Sequence, residues 1–272
     1  MNADLSIVVP VYNEGENIRR LFDEIAAKVG PNVNEVVLVY DFEEDDTLPV
    51  VRKAARTYPF PIRLARNAWG RGALNAIRTG FKEARGPMVL VCMADLSDDL
   101  IAVPAMVNRM REGCDVVCGS RYMRGGRQNN GPLLKRTLSR LAGLSLHFLT
   151  GIPTHDITNS FKLYRKELLN RLTIESSGGF EVGMEIVAKT FVMGGRIAEV
   201  PSVWNDRSAG VSRFRMWKWM PNYLRWYWFA IKGRFYRVDR PVGPKGSGAV
   251  PRPHFAIARD AVESDELAHH AN

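Results

Sequence analysis

Three clusters of ionisable residues stand where apolar runs end, and each suits the handling of a phosphorylated ligand. The first is Asp95, Asp98 and Asp99, which close the stretch MVLVCMADLSDD from Met88 to Asp99. Such a run reads as a buried strand, and in an open α/β sheet ligands sit just beyond the carboxyl ends of the strands. Carboxylates placed there suit a hard divalent cation, which in turn carries phosphate oxygens. The competing reading is a helix start capped by Ser97, Asp98 and Asp99. We assign Asp98 and Asp99 to the cap and Asp95 to a site. The second cluster, Tyr40 to Thr47, ends the apolar run Glu35 to Val39. The third is basic: Arg121 follows the run Asp115 to Cys118, and Arg124, Arg127, Lys135 and Arg136 come next. A solvated basic face and an anion site fit these four residues equally well. A further basic loop, with Asp206, Arg207, Gly210, Ser212 and Arg213, follows the apolar run Ile197 to Val203.

The elements that must hold these clusters alternate along the chain. Leu5 to Val9 reads as a strand, and Ile18, Leu21, Phe22 and Ile25 recur at helical spacing. A strand over Glu35 to Val39, a helix over Leu48 to Tyr58, a strand over Ile62 to Ala65 and a helix over Ala73 to Ala84 lead to the strand at Met88. This βαβαβαβ order implies a mostly parallel sheet flanked by helices. Later helices are expected over Ile101 to Arg111 and Leu133 to Leu149, the latter carrying Ser139. An amphipathic helix carrying Glu185 follows Gly178 and Gly179, with a late strand over Ile197 to Val203. Gly70-Arg71-Gly72-Ala73-Leu74-Asn75 approaches the dinucleotide fingerprint but ends in Asn and follows the third strand rather than the first. That excludes a nicotinamide site and leaves a tight turn at a helix start, either purely structural or beside a phosphate.

Composition narrows the class. The chain has 272 residues, 46% hydrophobic and 25% charged, ordinary values for a globular protein with one large domain. No run approaches the roughly 18 apolar residues of a spanning helix, and no secretory leader is recognisable, so a cytoplasmic location is expected. Cys92, Cys114 and Cys118 lie in or beside apolar runs, as buried thiols do, and no His cluster suggests zinc or a triad. The net charge of +9 points to anionic partners. The acids interleaved at the strand ends oppose nucleic acid among them.

Together these stretches resemble the inverting family 2 glycosyltransferases of GT-A fold, in particular the dolichol-phosphate mannosyltransferase-like enzymes that act on polyprenyl phosphates. The landmarks are VVPVYNEGENI (Val8 to Ile18), GRGALNAIRTGFKEARG (Gly70 to Gly86), ADL (Ala94 to Leu96), GSRYMRGG (Gly119 to Gly126), DITNSFKLY (Asp156 to Tyr164) and EVPSVWNDRSAGVSRF (Glu199 to Phe214). The resemblance implies a catalytic domain over residues 1–214. It implies that Pro10, Tyr12 and Glu14 bind a nucleotide sugar, that Asp41 contacts the base, and that Asp95 ligates Mg²⁺ or Mn²⁺. Arg121, Lys135, Arg136, Ser139 and Arg207 would grip donor and acceptor phosphates, with Arg213 closing the R-x-x-G-x-S-R spacing that begins at Arg207. Catalysis would then rest on Asp95, Arg121 and Arg207, which stabilise a leaving diphosphate. A lipid phosphate acceptor needs no strong base, whereas a hydroxyl acceptor would need one, for which Asp156 is the candidate. Two departures stand out. Tyr40-Asp41-Phe42-Glu43 replaces the family's paired aspartates and Gly-Ser, and Met93-Ala94-Asp95-Leu96-Ser97 replaces Asp-Ala-Asp-Leu-Gln. One metal carboxylate is thereby lost, which motivates a second reading as a catalytically impaired nucleotide-sugar-binding protein on the same fold.

A lipid acceptor agrees with the stretch 215–237. Trp217, Met220, Leu224, Trp228, Ile231 and Phe235 recur at helical spacing beside Lys218, Arg225 and Lys232, while Trp219 and Trp226 fall on another face. An apolar stripe flanked by aromatic and basic residues characterises a helix lying in a membrane interface, so a peripheral membrane location is expected. Packing against the catalytic domain is the rival reading, and both hold if they use different faces. Residues 238–272, rich in Pro, Gly and Ala, read as a disordered tail.

Overall fold

The computed structural model describes residues 4–206 and 216–235. Arg207 and Arg213, the side chains of Trp217 and Lys218, and the expected tail at 238–272 therefore lie outside the described residues.

Short Val- and Ile-rich segments form the central sheet because β-branched side chains pack well on a pleated surface buried on both faces. The strands are β1 (Leu5–Pro10), β2 (Val33–Tyr40), β3 (Ile62–Arg66), β4 (Met88–Val91), β5 (Val116–Ser120), β7 (Lys162–Arg165) and β8 (Ile197–Pro201), in the order β3-β2-β1-β4-β7-β5-β8. β1 pairs in parallel with β2 and β4, and β2 with β3, as the βαβ alternation requires. β7 runs antiparallel between β4 and β5, so the mostly parallel sheet has one reversed strand near its middle. That strand begins within the DITNSFKLY stretch, and its four residues, Lys-Leu-Tyr-Arg, are too few to announce a strand by periodicity.

Alternation along β1 divides the core into two layers. Leu5, Ile7 and Val9 face the layer with α1 (Ile18–Lys28) and α4 (Val103–Arg111), whereas Val8 faces α3 (Ala73–Glu83) and α7 (Val182–Val192). The helix α2 (Thr47–Ala54) is shorter than the pattern suggests. Pro59 biases Tyr58 away from helical angles, and Tyr58 instead stacks on Phe60. α7 is not amphipathic. It is buried on nearly every side, and Glu185 within it accepts hydrogen bonds from the amides of Glu175 (2.7 Å) and Ser176 (2.9 Å) and pairs with Lys189. The late strand is two: β8, then β9 (Val203–Asn205), which pairs with β6 (Arg127–Asn129) in a separate small sheet.

α5 (Leu133–Thr150) and α8 (Met216–Arg234) complete the body. Gly143 lets α5 approach the loop beneath it, since a Cβ there would lie 2.1 Å from the His155 carbonyl oxygen. α8 packs on α7 and α5 with the face carrying Trp226, Ala230 and Gly233. The Trp226 indole is buried, donates from Nε1 to Ser176 Oγ at 3.1 Å, and lies under the Arg225 and Lys189 cations. The stripe of Leu224, Trp228 and Phe235 stays exposed. Docking and an outward apolar stripe thus coexist on opposite faces of α8. Trp226→Phe, which removes the indole donor and part of the ring, is expected to cost about 1–2 kcal/mol in urea unfolding, whereas Trp228→Phe should change stability by less than about 0.5 kcal/mol.

Candidate active site

The acidic stretch after β2 is divided between two neighbouring loops. Asp45 accepts the Asn13 amide (3.1 Å) and Asp46 the Gly15 amide (2.9 Å), so these carboxylates hold the turn after β1 that presents Tyr12 and Glu14. Asn13 in that turn has φ of 52°, a conformation that Asn tolerates better than most residues. Tyr12 is exposed and meets the edge of Phe42 at 5.2 Å between ring centres, while Glu14 accepts from Asn17 Nδ2 at 2.8 Å. Pro10 ends β1 opposite Val39. Asp41 reaches the other way, accepting from Asn67 Nδ2 (2.8 Å) and the Gly72 amide (2.9 Å). The Gly70 to Gly72 stretch is therefore a turn with φ of 93° and 117° at its two glycines, and one amide at the start of α3 already serves a carboxylate. Phe42, Glu43, Arg66 and Arg71 join Asp41 around an open cleft of about 460 Å³, with the Arg71 guanidinium 5.4 Å from the Phe42 ring centre.

Beyond β4 the three aspartates take three roles. Asp95 is buried and accepts the Ser97 amide at 3.1 Å, which closes a tight turn. Leu96 within it has φ of 60°, a left-handed conformation that costs a non-glycine residue roughly 1–2 kcal/mol. Asp99 does cap, accepting the Ile101 amide at 3.0 Å, and it also accepts the Val203 amide of β9. Asp98 does not cap. It folds back to accept the Met93 amide at 2.9 Å because the loop after β4 turns before any helix begins. Burial pushes the Asp98 carboxyl up to about 7, with the charge of Asp95 adding to the effect and the hydrogen bond from Met93 opposing it. A carboxyl raised in the folded state binds its proton more tightly there, so its contribution to stability declines as pH rises from about 4 to about 7. Asp98→Asn is accordingly expected to raise stability by on the order of 1–2 kcal/mol at pH 8 and by little at pH 4, read from thermal midpoints.

Arg121, at the end of β5, is committed to Asp156. Its Nε and Nη2 donate to the two Asp156 oxygens at 2.6 and 2.8 Å, and its amide donates to the same carboxylate at 3.0 Å. Nη2 also reaches Ser139 Oγ at 3.0 Å, and Tyr122 donates to that oxygen at 3.0 Å. Burial disfavours both charges, but the pairing prevails and holds Asp156 below and Arg121 above their usual ranges. Asp156 is therefore unsuited to act as a base. Lys135 and Arg136 stand half-exposed on the first turn of α5, one turn before Ser139. The structure thus brings Arg121 and Ser139 into contact, with Lys135 and Arg136 on the same helix as Ser139.

Lys162 is the residue that pattern reading passed over. It lies fully buried in β7, donates to the Ile157 carbonyl at 3.1 Å, and has its ammonium pushed down by burial against the pull of Cys118, Asp156 and Asp98. A lone cation inside Phe161-Lys162-Leu163-Tyr164 was the available signal. Among the described residues no three His, Cys, Asp or Glu side chains gather as a ready metal cage.

This sheet, with acids beyond β2 and β4, defines a GT-A-like fold. Solved structures of glucosyl-3-phosphoglycerate synthase from Mycobacterium tuberculosis, one in complex with UDP and one with Mn²⁺, UDP-glucose and phosphoglyceric acid, superpose with a TM-score of 0.63 at 18% identity, covering 84% of this chain and 80% or 79% of theirs. The chain belongs to glycosyl transferase family 2, whose profile matches residues 6–173. Among curated relatives, dolichol-phosphate mannosyltransferase of Pyrococcus furiosus is 29% identical over 78% of this chain, which spans 59% of that protein's length. Polyprenol monophosphomannose synthase of Mycolicibacterium smegmatis is 29% identical over 76% of this chain and 79% of its own.

Proposed function

We propose that this protein transfers a sugar from a nucleotide diphosphate sugar to a polyprenyl phosphate at a membrane surface. The observation that carries the acceptor class is the locking of Asp156. A hydroxyl acceptor would need a base, and the carboxylate best placed by sequence for that task has both oxygens bound by Arg121, which holds it below its usual range and makes it a poor proton acceptor. A phosphate acceptor is already anionic at neutral pH and needs none. The names of the two relatives point to the same acceptor class.

On this reading Tyr12 and Glu14, on the turn held by Asp45 and Asp46, together with Pro10 and Asp41, bind the donor. Asp95 holds Mg²⁺ or Mn²⁺ against its diphosphate, and the cation supplies positive charge to the leaving group. Arg207 grips a phosphate, with Lys135, Arg136, Ser139 and Arg213 on the acceptor side, while Arg121 keeps Ser139 and the Asp156 loop in register. Arg207 and Arg213, which lie outside the described residues, enter from the family resemblance of their stretch. The attachment proposed is through the exposed face of α8; among the described residues no helix is long and apolar enough to cross a membrane.

Thermal shift against a panel of nucleotide sugars, with and without Mg²⁺ or Mn²⁺, tests the donor site, because a ligand of the native state raises the midpoint. A rise with one nucleotide that grows with metal supports the reading. No rise with any nucleotide sugar would refute it. Because Met93 replaces the first metal carboxylate, a rise without any transfer would favour the binding-protein reading instead.

A further inference from the structure

Lys162 is a fully buried cation to which the reading above gives no task. Taking an ammonium out of water is costly unless opposite charge and hydrogen bonds compensate it, so a lysine inside a central strand calls for a reason. Its Nζ donates to the carbonyl of Ile157, the residue after Asp156. α7 closes over another side of it: a Cβ on Gly183 would stand 3.5 Å from Nζ and 3.4 Å from the Tyr164 hydroxyl. The ammonium is thus sealed against the loop that carries Asp156.

The ionisable groups that face Lys162 are Cys118, Asp156, Arg121 and Asp98. Burial pushes the Cys118 thiol up to about 11, so it carries no charge at neutral pH. Asp98, pushed up to about 7, is partly neutral there. Arg121 and Asp156 stay charged, but their charges sum to zero, with Asp156 held through both oxygens. Such a pair attracts an anion weakly, because the carboxylate cancels most of the field of the guanidinium that grips it. Arg121 nevertheless touches Ser139, on the acceptor side of the reading above. A second buried cation beside Asp156 removes that cancellation.

We propose that Lys162 is a positioning residue for the acceptor: its ammonium offsets Asp156, so that Arg121 presents an uncancelled positive charge to a phosphate monoester bound beside Ser139. Lys162, Asp156 and Arg121 then act as one buried triad of net charge +1. The lysine works through the other two, since it lies too deep to touch a ligand itself. This deepens the polyprenyl phosphate reading, on which it rests, by giving a locked arginine the charge that an anionic acceptor needs. A lysine that merely filled space would do none of this, and Lys162→Met, which keeps the apolar stem, separates the two roles.

The test is titration calorimetry of the full chain with a short polyprenyl phosphate in detergent, with the unphosphorylated polyprenol as control, at pH 6, where Asp98 is mostly protonated. Wild type is expected to bind the phosphate and not the alcohol. Lys162→Met should weaken that binding about tenfold, the scale of losing one charge several ångströms away at intermediate dielectric, and leave the thermal shift by nucleotide sugars unchanged. Lys162→Arg should bind as wild type does. Lys162→Met/Asp156→Asn removes one charge of each sign and returns the site to +1, so it should recover most of the affinity, whereas a structural lysine predicts a double variant worse than either single one. If Lys162→Met does not fold, Lys162→Arg and the double variant decide by the same outcomes. Unchanged affinity in a folded Lys162→Met, a double variant weakened tenfold or more, or no phosphate binding by wild type would overturn the proposal. Transfer assays keep the two readings apart. An acceptor KM that rises in Lys162→Met at unchanged kcat supports both, wild-type transfer indifferent to Lys162 sinks the triad alone, and phosphate binding that depends on Lys162 without any transfer refutes the reaction and leaves the triad standing.

Discussion

Arg121→Ala is expected to lower the stability of the fold by about 3–5 kcal/mol, because it strands the Asp156 carboxylate, fully buried, without its partner. The deficit should depend on pH. In the variant, burial without Arg121 raises the Asp156 value, so protonation relieves the penalty as pH falls through that raised value, and the gap to wild type narrows in acid. Urea unfolding at pH 8 and pH 5 measures both quantities. Replacing both partners with apolar residues of similar size should recover part of the loss, since an empty ion-pair site is worse than an apolar one. Loss of activity in Arg121→Ala is then to be read as loss of structure first.

Asp95→Asn carries the other large effect, on chemistry rather than folding. The asparagine Oδ1 can still accept the Ser97 amide, so the turn and the thermal midpoint without ligand should hold within about 1 kcal/mol. Loss of the charge should remove the metal-dependent part of nucleotide-sugar stabilisation and lower transfer at least about a hundredfold, the scale of losing one electrostatic stabiliser of a developing anion. Met93→Asp, restoring the family's first carboxylate, should tighten metal binding. Metal-independent wild-type transfer that survives Asp95→Asn would leave the arginines as the stabilisers of the leaving group.

Periodicity and strand-end chemistry made the parallel half of the sheet readable in advance, since β1 to β4 and their helices each announce themselves through buried Val and Ile runs and 3.6-residue spacing. Asp99 was readable as a cap for the same local reason. What the sequence concealed depends on partners distant in the chain. Nothing local tells that β7 enters antiparallel between β4 and β5, or that Arg127 to Asn129 pairs with β9. Arg121 and Asp156 were both noticed, but as a phosphate grip and a candidate base. Only their 35-residue separation closed by the fold shows them to be one ion pair. Likewise, the helical wheel of α8 gave an apolar stripe but not which face would dock, because Trp226 and Trp228 differ only in what α7 and α5 leave room for.

The most direct measurement is transfer of label from radiolabelled nucleotide sugars to a short polyprenyl phosphate dispersed in detergent, with Mg²⁺ present and the unphosphorylated polyprenol as the control. The account predicts label in the organic phase with at least one donor, dependent on the acceptor phosphate and absent with polyprenol. Equal labelling of polyprenol, or no labelled lipid with any donor that the thermal-shift panel shows to bind, would contradict it.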